Sequence, residues 1–581
     1  MRSFRRLISY MVPYRVAAIA APLLMALEVA MDLAQPRLLQ NIVDIGIANN
    51  DLDTIMNTGL IMVLVAIIGM IGGVGCTVYA TRAALNFGTD IRADVFRTVQ
   101  RFSFSQLDRL QTGSLVTRLT NDVEQVQEAA AMFLRILVRA PLLVLGSLIM
   151  AVITSPKLSL LLVAIAPLLI IIFAVIMGRA RGLFTAVQER LDRVNNVMLE
   201  NLAGVRVVKA FVRSAFACER FRYDNEALMN TMIAAMTLVA GVMPMMMLLV
   251  SLGVAGVVWF GGIQVNAGEL QVGQILAFIN YLMQMLASLM MVGMLVMRVA
   301  RADASAERVL DVLESEPEMH DPPSPVSLPA VAGSIEFHNV GFSYGSDGGR
   351  PVLRAVSFTC ERGDTVGIIG STGSGKSTLV SLIPRLYEVS EGRVLVDGVD
   401  VRDTTRGQLR HAVAIVMQET TLFSGSVRDN ICYARPDASN DEVEDAAKLA
   451  QAHDFIAGFP DGYDTVLGQR GVNLSGGQKQ RLALARALIC RPSILIMDDC
   501  TSAVDAATEA RILNALAHWS HQCTRMVITQ RISSIMAADR ILILDDGEIV
   551  GNGSHQQLLA ESDIYREIVQ SQMELQEVAD V

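Results

Sequence analysis

Residues 57–80 contain no charged side chain, and neither do residues 158–178, 231–262 or 271–297. About 20 consecutive apolar residues cross a bilayer as a helix, and a helix that is apolar all round has no polar face to give to water. These runs commit the first half of the chain to lipid. Two more complete the set: residues 16–36, interrupted by Glu28 and Asp32, and residues 133–153. Only Thr154–Lys157 separates the third run from the fourth, so that pair forms a tight outer turn. The expectation is six spans. Hydrophobic residues make up 52% of the 581, concentrated before residue 300, which leaves a soluble second half.

Orientation follows from Lys and Arg. Segments 82–118 and 179–222 are rich in arginine, whereas 40–56 and 263–272 contain neither Arg nor Lys. The arginine-rich loops and both termini are therefore expected in the cytosol. The start of the chain carries Arg2, Arg5 and Arg6 with no small-residue cleavage site after the apolar run, which reads as an uncleaved first helix. The inner loops are long and lack Gly/Pro clusters, so their helices should continue beyond the membrane and turn near 104–112 and 208–219.

Glu28 and Asp32 are four apart and share a helix face. Acids at membrane depth are costly, so the pair either faces a cavity, as a cargo or gate site, or pairs with an arginine in a wet, bundle-facing region. Methionines 243, 245, 246, 247, 283, 285, 290, 291, 294 and 297 suit a surface that repacks around varied apolar ligands, although ordinary helix packing explains most such residues.

Residues 304–314 have helical apolar spacing, and Pro317–Pro325 ends that helix and marks a boundary. The division expected is a membrane domain over 1–315, a linker over 316–333, and a nucleotide domain over 334–581, where short β-rich runs alternate with helical ones. The net charge of −10 argues against nucleic acid, and seven cysteines without paired spacing fit a reducing cytosol.

Gly370, Ser371, Thr372, Gly373, Ser374, Gly375, Lys376 and Ser377 fit the phosphate-binding loop, followed by Thr378 at a helix start. Residues 365–369 before the loop read as a buried strand. Glycines let the backbone wrap phosphates, and the helix start adds N–H donors. Lys376 is expected on the outer phosphates and Ser377 on magnesium. Leu474, Ser475, Gly476, Gly477 and Gln478 open another helix, either as a second anion-binding end or as a helix start without a ligand. Residues 493–497 read as a strand ending in Asp498 and Asp499. A carboxylate there suits magnesium, and a second suits orienting or deprotonating a water.

With these motifs, the chain resembles an ATP-binding cassette half-transporter of the exporter type, over nearly its whole length to about residue 573. Leu-Ser-Gly-Gly-Gln between the two nucleotide motifs is that superfamily's signature. The resemblance implies a membrane all-α domain of six helices joined to a cytosolic α/β P-loop nucleotide-binding domain, with ATP and Mg2+ as cofactors. It implies that Tyr344 stacks on adenine and that Gln418 senses magnesium and the membrane domain. It also implies that Asp505 is the loop residue after the second nucleotide motif, and that residues 465–471 touch the membrane half. Residues 104–122 and 204–211 resemble the two inner loops of the family.

Two positions depart from the family pattern. Asp499 stands where the family has Glu, and Gln530 stands where it has the switch His. Asp is one methylene shorter, and Gln cannot carry the positive charge that imidazole can. The chain thus closely resembles the degenerate-site subunit of bacterial heterodimeric multidrug exporters. That implies a second half-transporter carrying the catalytic Glu and switch His, whose ATP the 474–478 signature would complete. It also implies a hydrophobic or amphipathic cargo and a place in the inner, cytoplasmic membrane. The alternatives are a homodimeric exporter or lipid flippase tolerating Asp499, and a nucleotide-gated channel or regulator on the same scaffold.

Overall fold

The computed structural model describes residues 2–328, 332–345, 349–519 and 523–579. They divide into two units, Met1–Gln100 with Gly113–Ser315, and Arg101–Thr112 with Glu316–Val581. A piece of the first inner loop therefore groups with the nucleotide motifs.

The first unit is all helical. Among the described residues, six helical stretches are long and apolar enough to span: Ser3–Ile47, Leu52–Val99, Thr112–Thr154, Pro156–Ala203, Ser214–Asn266 and Val272–Val292. The first five contain the apolar runs expected from sequence, and the sixth covers 272–292 of the run expected over 271–297. The Leu52–Val99 and Pro156–Ala203 helices have 48 residues each. At about 1.5 Å per residue each is about 72 Å long, more than twice the hydrocarbon thickness, so both continue well past the membrane. Local chemistry sets their starts. Asp51 accepts from the Thr54 N–H at 3.1 Å, and Ser155 accepts from the Leu158 N–H at 3.3 Å with Pro156 beginning the helix. The first reversal falls where expected, at the short helix Phe104–Leu110; the second comes earlier than 208–219, at Val205–Ala210, since the Ser214–Ala240 helix is already under way by residue 214.

Small residues bring the first two helices together. A Cβ on Gly72 would lie 3.0 Å from the Leu24 carbonyl. Arg139, on the Val123–Thr154 helix, donates to Glu28 and, at 2.9 Å, to Asp32. Both acids thus have an arginine partner. Of the methionines, Met246 and Met285 are buried while Met243, Met245 and Met247 are exposed; the side chains of Met294 and Met297 lie outside those described.

The second unit is α/β. Its strands are β1 (Ile335–Ser343), β2 (Pro351–Cys360), β3 (Thr365–Gly370), β4 (Glu391–Val396), β5 (Val399–Asp400), β6 (Val413–Val416), β7 (Gly425–Ser426), β8 (Val466–Leu467), β9 (Ile494–Asp498), β10 (Thr524–Ile528), β11 (Arg540–Asp545) and β12 (Glu548–Gly553). One sheet has the order β2-β1-β4-β5, a second β12-β11-β3-β10-β9-β6, and β7 pairs with β8. In the six-stranded sheet only β12 is antiparallel to its neighbour. Its parallel strands are covered on both faces. Ile494 and Ile496 face one core with Phe337 and Leu379, while Leu495 and Met497 face the other with Leu482 and Val527. Ligands of such sheets gather beyond the carboxyl ends of the parallel strands.

Candidate nucleotide site

β3, β10 and β9 lie side by side, so their carboxyl ends deliver residues 370–378, 529–531 and 498–499 to one edge. A cleft of about 320 Å³ opens there, lined by Gly373, Gly375, Lys376, Ser377 and Thr378, by Asp498, Asp499 and Gln530, and by Tyr344 and Gln418. These expected site residues are therefore brought together.

Backbone geometry explains the glycines of the loop. Gly375 has φ 100°, and a Cβ there would lie 2.9 Å from Leu353. At Gly370 a Cβ would lie 2.0 Å from the Leu544 carbonyl, so β3 closes onto β11 only with glycine there. Ser371 accepts from the N–H of the buried Ser374 at 3.2 Å, which tightens the turn. Lys376 Nζ donates to the carbonyls of Gly370 (2.9 Å) and Ser371 (2.6 Å). Burial pushes its pKa down, against the pull of Asp498 and Asp499.

The Ser377 hydroxyl donates to Asp498 at 3.0 Å. Asp498 is buried, and burial, with the charge of Asp499, lifts its pKa against the Ser377 bond and Lys376. A buried carboxylate beside a hydroxyl is a hard-oxygen pair suited to magnesium. Among the described residues no three His, Cys, Asp or Glu side chains gather as a metal cage. Ser377 and Asp498 thus fit an ion that arrives with phosphates and keeps other oxygens around it, the usual habit of Mg2+.

Tyr344 stands at the lip of the cleft, 46% exposed, its hydroxyl 2.9 Å from Thr378 Oγ1. Its ring meets Phe342 and Tyr387 edge-on, with centroids 4.9 and 5.4 Å away, leaving a flat face for a base. Tyr387 in turn donates to Asp108 of the Phe104–Leu110 helix at 2.7 Å.

Asp499 sits in the left-handed region at φ 47°, its N–H donating to the Ile528 carbonyl at 3.0 Å. Asp and Asn enter that region more readily than other side chains do. Burial raises its pKa, opposed by Arg531 and reinforced by Glu509. Gln530 is exposed, and its carbonyl accepts from Gln572 Nε2 at 2.6 Å. Gln418 is also exposed at the cleft.

The signature lies outside the cleft lining. Leu474 is buried, and Ser475 caps the Gly476–Leu488 helix, its hydroxyl accepting from the Gln478 N–H while its own N–H donates to Gln478 Oε1 at 2.9 Å. A Cβ on Gly477 would lie 2.7 Å from the Ala503 carbonyl. Asp505 caps the Ala506–Ala517 helix, accepting from the Thr508 N–H at 2.9 Å, and that bond lowers its pKa. Glu28 and Asp32 belong to the first unit.

Sequence reasoning missed Glu509, a buried carboxylate that accepts from Arg531, Thr501 and Ser534, each at 2.7 Å. The signal was present: Glu509 shares the buried helix face of Ile512 and Leu516. Tyr387, Gln480 and Gln572 carried no comparable signal.

The ABC transporter transmembrane region model matches residues 18–289, and the ABC transporter model matches residues 353–502. The uncharacterised ABC transporter ATP-binding protein YfiB of Bacillus subtilis is 41% identical over 568 residues, covering 98% of each chain. The ATP-dependent lipid A-core flippase of Syntrophus aciditrophicus is 34% identical over 491 residues, covering 84% of this chain and 81% of its own. The solved structure of a bacterial Atm1-family ABC exporter with ATP bound superposes with a TM-score of 0.80 at 28% identity, covering 96% of this chain and 99% of that one.

Proposed function

The chain belongs to the ABC transporter family, and we propose that it is one half of a heterodimeric exporter whose own cleft binds ATP and hydrolyses it poorly. Its cargo class is hydrophobic or amphipathic, drugs or lipids; the likeness to a lipid A-core flippase supports the lipid end of that range. Its place is the inner membrane, with the nucleotide unit in the cytosol, as the arginine-rich inner loops and the bacterial relatives support.

The observation that carries the proposal is the split within one cleft. Tyr344, Lys376, Ser377 and Asp498 converge as a base platform, a phosphate cation and a magnesium pair. The glycine loop and Lys376 would hold the phosphates, and Ser377 and Asp498 would hold a magnesium ion, which would shield phosphate charge. The hydrolytic positions are the weak part. Asp499 is one methylene short, about 1.5 Å of reach, and Gln530 is a neutral amide. Both changes reduce the positioning and charge stabilisation that phosphoryl transfer needs. The partner half-transporter would supply a Glu and a His, and Leu474–Gln478 with Asp505 of this chain would complete its site. In the membrane, the Arg139 bridge supports Glu28 and Asp32 as a closed gate clasp rather than an open cargo acid.

Measuring phosphate release from the chain alone and from the complex tests this. The chain alone should be slow and the complex fast, with Ser475→Ala crippling the complex. Brisk turnover by the chain alone, abolished by Asp499→Asn, would overturn the proposal.

A further inference from the structure

The Asp563–Ala579 helix reaches the loop after β10 with a single polar side chain. Tyr565, Val569 and Gln572 share one face of that helix by their spacing. Tyr565 and Val569 are buried in the same core as Ile532 and Ile535. The Tyr565 hydroxyl lies 2.8 Å from His555 Nδ1, which fixes the helix to the His555–Glu561 helix before it. Anchored in this way, the face brings the Gln572 amide against the backbone of the loop. Its Nε2 donates to the Gln530 carbonyl at 2.6 Å, and its Oε1 accepts from the Ile532 N–H at 2.9 Å. One planar amide thus pairs with the backbone on either side of Arg531, as a neighbouring strand would.

The loop has need of such a partner. The strand ladders of β10 end at Ile528, and the Thr529 N–H still reaches the Ile368 carbonyl of β3, at 3.4 Å. Arg531 is held by its side chain, which donates to Glu509 at 2.7 Å and to the Val504 carbonyl at 3.2 Å. Between these anchors Gln530 is exposed and lines the cleft together with Lys376. We propose that Gln572 is a positioning residue: through the backbone at 530–532 it aims the Gln530 side chain at the outermost phosphate of ATP, and so sets the preference of this cleft for ATP over ADP. The inference rests on the reading of the cleft as an ATP site. The Gln530 amide is a neutral N–H donor, able to bond a phosphate oxygen although it cannot supply charge to hydrolysis. ADP has no outermost phosphate to receive that bond. With its main chain bracketed by Gln572, the Gln530 side chain starts from a fixed root and loses less freedom when it makes the bond.

The test compares a non-hydrolysable ATP analogue with ADP, both with magnesium, as each displaces a fluorescent nucleotide from the whole chain in nanodiscs. Gln572→Ala should weaken the analogue about tenfold, the scale of a hydrogen bond to a charged group, and leave ADP unchanged. Gln572→Glu keeps an acceptor for Ile532 but loses the donor to Gln530, whose carbonyl it repels. It should weaken the analogue as the Ala variant does, while hydrogen–deuterium exchange at the Ile532 amide stays slow; in the Ala variant that amide should exchange faster. Gln530→Ala should match Gln572→Ala, and the two together should be no worse than either, because both act through one side chain. Equal weakening of the analogue and ADP, a Gln572→Ala loss that adds to that of Gln530→Ala, or an analogue affinity that Gln572→Ala leaves intact would overturn the proposal. Hydrolysis takes no part in the comparison, so this proposal and the weak-site proposal fail separately.

Discussion

Asp498 is held buried with a raised pKa, and that has opposite consequences for the fold and for its ligand. Asp498→Asn keeps an oxygen for the Ser377 hydroxyl and removes a charge that burial disfavours. The nucleotide unit should therefore become more stable without ligand, by about 1 kcal/mol. The same change removes a magnesium oxygen. At a hundredfold excess of Mg-ATP over its Kd, the unmodified protein should gain about 2.7 kcal/mol. For a unit of this size that is about 5–10 °C of melting temperature, at about 2–4 °C per kcal/mol. The Asn variant should start higher and gain little. The sign with pH follows from the raised folded pKa. Stability falls as pH rises from the ordinary carboxylate range through the raised value, because the unfolded state gives up the proton first. Below that window the penalty is relieved, and the Asn variant should show none of this slope. Differential scanning fluorimetry in EDTA and in Mg-ATP, scanned upward from the ordinary carboxylate range to pH 8, reads all three effects. An Asn variant that melts lower than the unmodified protein in EDTA, or that gains as much from Mg-ATP, would mean that Asp498 is neither buried at a cost nor a magnesium ligand.

Tyr344→Ala should weaken ATP binding at this cleft by about tenfold, the scale of one base–aromatic stack, read by displacement of a fluorescent nucleotide. Asp499→Glu with Gln530→His should raise this cleft's own turnover by about a hundredfold in a complex whose other site is disabled, read as phosphate release; no rise would count against Asp499 and Gln530 as the limiting positions. Asp499→Glu should also lower the melting temperature, because the longer side chain enters the left-handed region less readily. Arg139→Gln should destabilise the membrane unit by about 1–3 kcal/mol by leaving two acids without their cation, and the triple change Glu28→Gln, Asp32→Asn, Arg139→Gln should recover most of the loss in a detergent melt.

Much of the architecture was legible because its causes are local. An uncharged run of span length has few alternatives, and the glycine loop announces itself because a strand and a helix flank it. Even β9 showed as a continuous apolar run, which is what a strand buried on both faces requires. The unreadable part came from long-range pairing. Nothing in the residues around Glu509 says that Arg531 and Ser534 will close on it, and nothing near Tyr387 points to Asp108. The left-handed turn at Asp499 was hidden for the same reason, since the Ile528 carbonyl that receives its N–H lies on the neighbouring strand. The partner of Glu28 and Asp32 was anticipated as a residue type, but that it would be Arg139 depended on how the helices pack.

The grouping of Arg101–Thr112 with Glu316–Val581 bears on how this polypeptide can be dissected. Severed at the linker, a fragment beginning at Glu316 would carry a wound. Glu318 would lose Arg109, Ser103 and Ser105, and Tyr387 would lose both the Asp108 acceptor and the Phe104 ring 6.0 Å away. Such a fragment would leave a carboxylate and a tyrosine hydroxyl without partners next to its base platform. Supplying residues 101–112 as a separate peptide should restore those partners.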